Sequence, residues 1–253
     1  MSAQPTVLLV HGLWSGPGTW WRVGPELEAR GWRVETATLA GHGGRPVGGS
    51  RSLRALADDV VAQRPDGCTV VVGHSFGAVV ALELAVAHPS YAGGVLLEDP
   101  PGRGGGRRTT RGADSLAAQA RAAHDDPVAA VASLRAGHPT WSRGDARSVV
   151  EGQRGTDPEV ASRRLPFDLV ELVRASPVPV GVLACAGRYS ALAEPQRTTL
   201  RRLLPADRFT ELPGSHHVHL DQPERWVEAV DAFGGRRPEV RRRLQADTDP
   251  GET

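Results

Sequence analysis

The chain has 253 residues, with 30 basic and 29 acidic side chains and a formal net charge of +1. That length suits one large domain with a substantial core, and a charge so evenly balanced and interspersed excludes a nucleic-acid or acidic-membrane face. No run approaches the roughly 18 uninterrupted apolar residues of a membrane span. Residues 1–5 carry no basic start, so a soluble cytoplasmic protein is expected.

Thr6–Val10 is a short apolar run that reads as a buried parallel strand. The glycine-rich loop from His11 to Gly18 follows, then a helix over about 20–30 with Trp21, Val23 and Leu27 on its apolar side and Gly31 as its cap. Residues 33–39 alternate as a second strand, and Gly41-His42-Gly43-Gly44 turns the chain. Ser52 caps a helix reaching about Gln63, with Leu53, Leu56, Val60 and Val61 at helical spacing. Val70-Val71-Val72 then runs straight into Gly73-His74-Ser75-Phe76-Gly77 and an Ala- and Leu-rich helical pattern ending at His88-Pro89. The next strand covers 94–98 and stops at Asp99-Pro100-Pro101.

From 115 to 174 helical segments succeed one another and no strand is expected. A helical insertion over 101–176, between two sheet strands, reads as a cap over the sheet edge rather than a second domain. Alternation resumes with a strand at 178–184, a helix at 195–204, a strand at 208–212 and a helix at Pro223–Phe233. Residues 236–253 read as a polar C-terminal tail. The fold class is therefore α/β: a mostly parallel sheet of about six strands with helices on both faces and an inserted helical cap. Cys68 and Cys185, at or within expected strands, read as separate buried thiols.

Strand, sharp turn and helix around Gly-x-Ser-x-Gly make Ser75 a candidate nucleophile. At such an apex the backbone is strained and the side chain stands clear of the sheet, and a Cβ at Gly73 or Gly77 would crowd the strand–helix approach. Serine at its free pKa is a poor nucleophile, so it needs a base, a group to orient that base, and donors for the developing oxyanion.

Val7-Leu8-Leu9-Val10-His11-Gly12, Gly41-His42-Gly43, the elbow Gly73–Gly77 and Pro213-Gly214-Ser215-His216 with Asp221-Gln222-Pro223 occur in this order. In these four motifs the chain resembles the α/β-hydrolase superfamily, over nearly its whole length except the cap and tail. The resemblance implies His216 as base, counted back from Pro223, and the backbone N–H groups of Leu13 and Phe76 as oxyanion donors, with Trp14 the alternative to Leu13. His11 would hold the loop. His217 and His219 read as polar loop histidines, and a metal reading of His216-His217-x-His219 lacks a carboxylate or cysteine partner. No metal or cofactor is expected.

The acid is where the chain departs from the family. The usual Gly-x-x-Asp reads Gly187-Arg188-Tyr189-Ser190 here. Some members take the acid from the end of the strand beside the elbow strand, which is Asp99. Glu98 and Glu194 stay open as alternatives.

The expected function is a serine hydrolase that cleaves a carboxylic ester, thioester or lactone through an acyl-enzyme, on a small-molecule substrate. The alternative is non-hydrolytic use of the fold: a lyase, a cyclisation catalyst, or a ligand-binding protein with a vestigial triad. Trp14 and Trp141 are candidate pocket residues. Arg103, Arg107, Arg108 and Arg111 at the cap entry read as a solvated surface. Oligomeric state is not legible.

Overall fold

Short runs of Val, Leu and Ala, buried from both sides, line up as one parallel sheet. A computed structural model describes residues 4–48, 52–104, 110–162, 165–187 and 189–235. Its strands are β1 (Thr6–Val10), β2 (Arg33–Ala37), β3 (Val70–His74), β4 (Val95–Glu98), β5 (Arg103–Gly104), β6 (Phe167–Asp168), β7 (Val180–Ala186) and β8 (Phe209–Pro213). Six of them form the main sheet in the order β2-β1-β3-β4-β7-β8, every neighbouring pair parallel.

The side-chain period of two sends alternate residues to opposite faces. Leu8, Val10, Val71 and Leu97 join the core under α2 (Leu53–Gln63), α3 (Phe76–Ala87) and α7 (Leu169–Ala175). Val7, Leu9, Val72 and Leu96 join the opposite core under α1 (Val23–Ala29) and α10 (Pro223–Phe233). Covering both faces is what a parallel sheet demands, and it is why these strands read as near-continuous apolar runs. Each fully buried Val or Leu contributes about 1.5–3 kcal/mol. The helix α3 is buried almost all round, as befits an element at the centre of the fold.

Local signals act as expected at several ends. The Ser52 hydroxyl accepts from the Ala55 N–H and caps α2. Gly31 sits at φ 84, the left-handed position that ends α1. Other boundaries move by a few residues: the helix expected over 20–30 is a 3-10 turn at Pro17–Trp20 followed by α1. Trp21, expected on the apolar side, is 46% exposed; its ring lies against Gly144 and its indole N–H donates to Asp145. Both cysteines are free thiols, with Cys185 buried and Cys68 half-buried.

Between β4 and β7 lie α4 (Thr110–Asp125), α5 (Pro127–Gly137), α6 (Arg143–Arg154), a 3-10 turn at Pro158–Ser162, and α7. One expectation fails here. Residues 167–168 form a strand, β6, paired antiparallel with β5 and braced by the Arg103–Asp168 ion pair. Two-residue strands are too short to show a period. Arg107, Arg108 and the tail 236–253 lie outside the described residues.

The insertion is stitched to the sheet side. A capping box at Ser142 and Asp145 starts α6, and the buried Asp145 also accepts from Trp21 Nε1 and Arg22 Nη1, each at 3.2 Å. A Cβ on Gly152 would stand 2.8 Å from Ser15 backbone, so α6 lies directly on the loop after β1. The remaining elements are α8 (Gln196–Leu203), a 3-10 turn at Ala206–Arg208 and α9 (Val218–Asp221). No helix among the described residues is long and apolar enough to cross a membrane.

Candidate active site

The carboxyl ends of parallel strands gather loops at one edge of a sheet, and sites form there. Here the loops after β1, β3, β4, β7 and β8 carry His11–Thr19, Ser75, Asp99, Ser190 and His216. Three non-glycine residues among those described have positive φ: Trp14 at 56°, Ser75 at 53° and Asp99 at 40°. Each follows a central strand. Conformations like these cost about 1–3 kcal/mol apiece and persist only where the surroundings enforce them.

The elbow is enforced by close backbone approach. A Cβ on Gly73 would meet Gly77 O at 2.4 Å, and one on Gly77 would meet Val10 O and His11 O at 2.3 Å. A Cβ on Gly12 would stand 3.0 Å from Ser75 Cβ, so the loop bearing Leu13 passes over the serine. Phe76 opens α3, and the first N–H groups of a helix have no acceptor within it. Phe76 thus follows Ser75 directly, and Gly12, the neighbour of Leu13, approaches it from the loop after β1.

Register carries Asp99 to the same edge. His74 pairs with Glu98 across β3 and β4, one step before Ser75 and Asp99. The Asp99 carboxylate is fully buried, with four donors around it. Cys185 N–H (3.0 Å) and the Ser190 hydroxyl (2.5 Å) donate to Oδ1. Ala191 N–H (2.8 Å) and His216 Nδ1–H (2.5 Å) donate to Oδ2. Ser190, which stands at the family's usual acid position, donates its hydroxyl to Asp99. With Nδ1–H given to Asp99, the free nitrogen of the half-buried His216 is Nε2. Burial, and secondarily Asp99, raise the Cys185 thiol to about 11 and keep it protonated.

The other two candidate acids go elsewhere. Glu194 is exposed and accepts from Thr198. Glu98 is fully buried and holds His219, whose N–H and Nδ1–H donate to Oε1 at 2.9 and 2.8 Å, while Trp226 Nε1–H donates to Oε2 at 3.0 Å. His219 is therefore no polar loop histidine. It is a buried ring whose Nε2 accepts from the Thr19 hydroxyl at 2.6 Å. No local signal in the sequence announces this contact between residues so far apart in the chain.

His74, one residue before the serine, donates Nε2–H to the His216 carbonyl at 2.9 Å, and its ring packs tilted against the His216 ring at 4.7 Å. Burial, followed by the neighbouring histidines, pushes His74 and His217 well below the usual imidazole range, so both stay neutral. His11 bolts the loop after β1 in place: Nδ1–H donates to Gly12 O, Nε2 accepts from Leu39 N–H, and burial lowers its pKa to about 3. Trp141 is buried; it stacks on His138 and donates Nε1–H at 2.7 Å to Asp221, which in turn accepts from Ser215 N and Oγ. It ties the helical insertion between β4 and β7 to the segment that carries His216. Trp14 is buried beside Leu13.

His74, Glu98 and His219 bring metal-ligand atoms within 4.8 Å of one another. Both nitrogens of His219 and both oxygens of Glu98 are already hydrogen-bonded, so the donor set fits a proton network rather than an ion.

A family model described as "Alpha/beta hydrolase family" matches residues 7–229. A pimeloyl-[acyl-carrier protein] methyl ester esterase of Aromatoleum aromaticum is 42% identical over 94 residues, 37% of this chain and 36% of that protein. The lipase LipV of Mycobacterium tuberculosis is 32% identical over 123 residues, 46% of this chain and 45% of that one. The chain thus spans less than half the length of these curated relatives. Among solved structures, an N-formylmaleamic acid deformylase from Pseudomonas putida S16 superposes with a TM-score of 0.70 at 22% identity, over 90% of this chain and 92% of that one.

Proposed function

Because the chain belongs to the α/β-hydrolase family, we propose that it is a serine hydrolase of carboxylic esters working through Ser75, His216 and Asp99. The observation that carries this reading is the 2.5 Å contact between His216 Nδ1 and the buried Asp99, in a histidine whose ring packs at 4.7 Å against His74 of the elbow. The likeness to a methyl ester esterase and a lipase supports the ester class.

Ser75 Oγ attacks the carbonyl carbon of a small ester while His216 Nε2 takes its proton. The N–H groups of Leu13 and Phe76 face the oxyanion as it forms. The tetrahedral adduct collapses, the alcohol leaves with the proton held on His216, and the acyl group stays on Ser75. Water then attacks, gives its proton to His216, and releases the acid as the proton returns to Ser75. Asp99, fixed by its four donors, orients the His216 ring and faces the imidazolium as it forms. No step needs a metal or cofactor.

The test is Ser75→Ala assayed on p-nitrophenyl butyrate, beside labelling of the wild type with a fluorophosphonate. Turnover should fall by at least about ten-thousandfold and the label should attach at Ser75. Turnover retained in Ser75→Ala, or a wild type inert to the label, would sink the assignment.

A further inference from the structure

We propose that Thr19, His219, Glu98 and Trp226 form a buried positioning relay that sets the catalytic geometry of His216; this rests on the serine-hydrolase reading above. The chain of contacts is continuous. The Thr19 hydroxyl donates to His219 Nε2 at 2.6 Å, and His219 Nδ1–H donates to Glu98 Oε1 at 2.8 Å. His219 N–H and Trp226 Nε1–H complete the carboxylate at 2.9 and 3.0 Å. In residue types the arrangement copies the Ser75–His216–Asp99 set, yet it is sealed. Thr19, His219, Glu98 and Trp226 are each fully buried, and the indole of Trp20 packs on His219 at 4.5 Å. No ester reaches Thr19, so the relay does no chemistry of its own.

Its members lie where they control the proposed machinery. Glu98 is the neighbour of Asp99 at the end of β4. His219 lies in α9, in the same short loop as His216. Thr19 ends the loop that begins with Gly12 and Leu13. One hydrogen-bonded chain therefore joins the acid strand, the base loop and the oxyanion loop. His219 also packs edge-on against His74 at 5.2 Å, and His74 in turn holds the His216 carbonyl. If the Thr19 donor is lost, His219 Nε2 is left buried and unpaired, a condition the ring relieves by shifting. That shift travels through His74 and α9 to the base, and displacement of this kind from a remote residue costs up to about a hundredfold in rate.

The variant that isolates the relay is Thr19→Val, close in shape and lacking the hydroxyl, compared with Thr19→Ser, which keeps it. With p-nitrophenyl butyrate as probe, Thr19→Val should lower kcat by about tenfold with KM unchanged, and Thr19→Ser should restore most of it. The downfield N–H proton resonance of His216 bonded to Asp99 should move in Thr19→Val and return in Thr19→Ser. A purely structural contact would lower Tm and leave both readings alone. Should Thr19→Val fail to fold, Glu98→Gln carries the same expectation, because one amide oxygen cannot serve three donors. Wild-type kcat and an unmoved resonance in a folded variant would overturn the relay. Ser75→Ala, run alongside, separates the two ideas. If it abolishes turnover while Thr19→Val is normal, the relay alone is wrong. If it leaves turnover intact, both fall.

Discussion

Glu98 and Asp99 stand side by side at the end of β4, and each carboxylate holds a histidine of the same short loop. The Asp99 partner, His216, has a side chain 28% exposed, whereas the Glu98 partner, His219, is 0% exposed and closed off by Thr19. The bonding is nearly the same and the consequence differs. A histidine with its second nitrogen free is available to take a proton, and one with both nitrogens engaged is a brace. The rings that have no carboxylate at all, His11, His74 and His217, are held neutral by burial. Partner and access, rather than residue type, sort these histidines into roles.

The sharpest break in this comparison is Asp99→Asn. It keeps the size and loses the charge and the tautomer control, so turnover should fall by about a thousandfold or more. A fall of only a fewfold would remove Asp99 from the proposed triad. Glu98→Ala, by contrast, strips a buried partner and should cost about 3–5 kcal/mol of stability in denaturant unfolding. An unchanged midpoint would mean that the buried pair does not brace the loop.

The histidines that have no carboxylate partner set a third test, through acid. His11 has a folded value of about 3 against 6.5 when unfolded. The unfolded chain therefore binds the extra proton between those values, and the stability from His11 is whole above about pH 6.5. It is lost as pH falls through 6.5 toward 3, by about 2 kcal/mol at pH 5. Tm measured at pH 7 and pH 5 should diverge in the wild type, and less so in His11→Gln. Smallest is Trp141→Phe, which frees Asp221 from its cap donor and should lower Tm by about 4–6 °C; an equal Tm would remove that tie between cap and loop.

Much of the elbow side was legible because its constraints are local. Val70-Val71-Val72 can only be a strand buried on both faces, and Gly73 and Gly77 lie where other residues would collide with backbone. Asp99 was legible as a candidate through its place at a strand end. What remained hidden is long-range pairing: His219 with Glu98, Thr19 with His219, Trp141 with Asp221. No periodicity encodes a partner far along the chain. The cap yielded its helices and little else, since Ala and Arg fit many packings and a two-residue strand has no pattern.

The Ser190 hydroxyl lies 2.5 Å from Asp99 Oδ1. Two loops, one after β4 and one after β7, thus converge on a single point beside His216. In the proposed triad the place of the acid is thus within reach of either loop, while the turn that carries Ser75 is pinned by the close backbone approaches at Gly73 and Gly77.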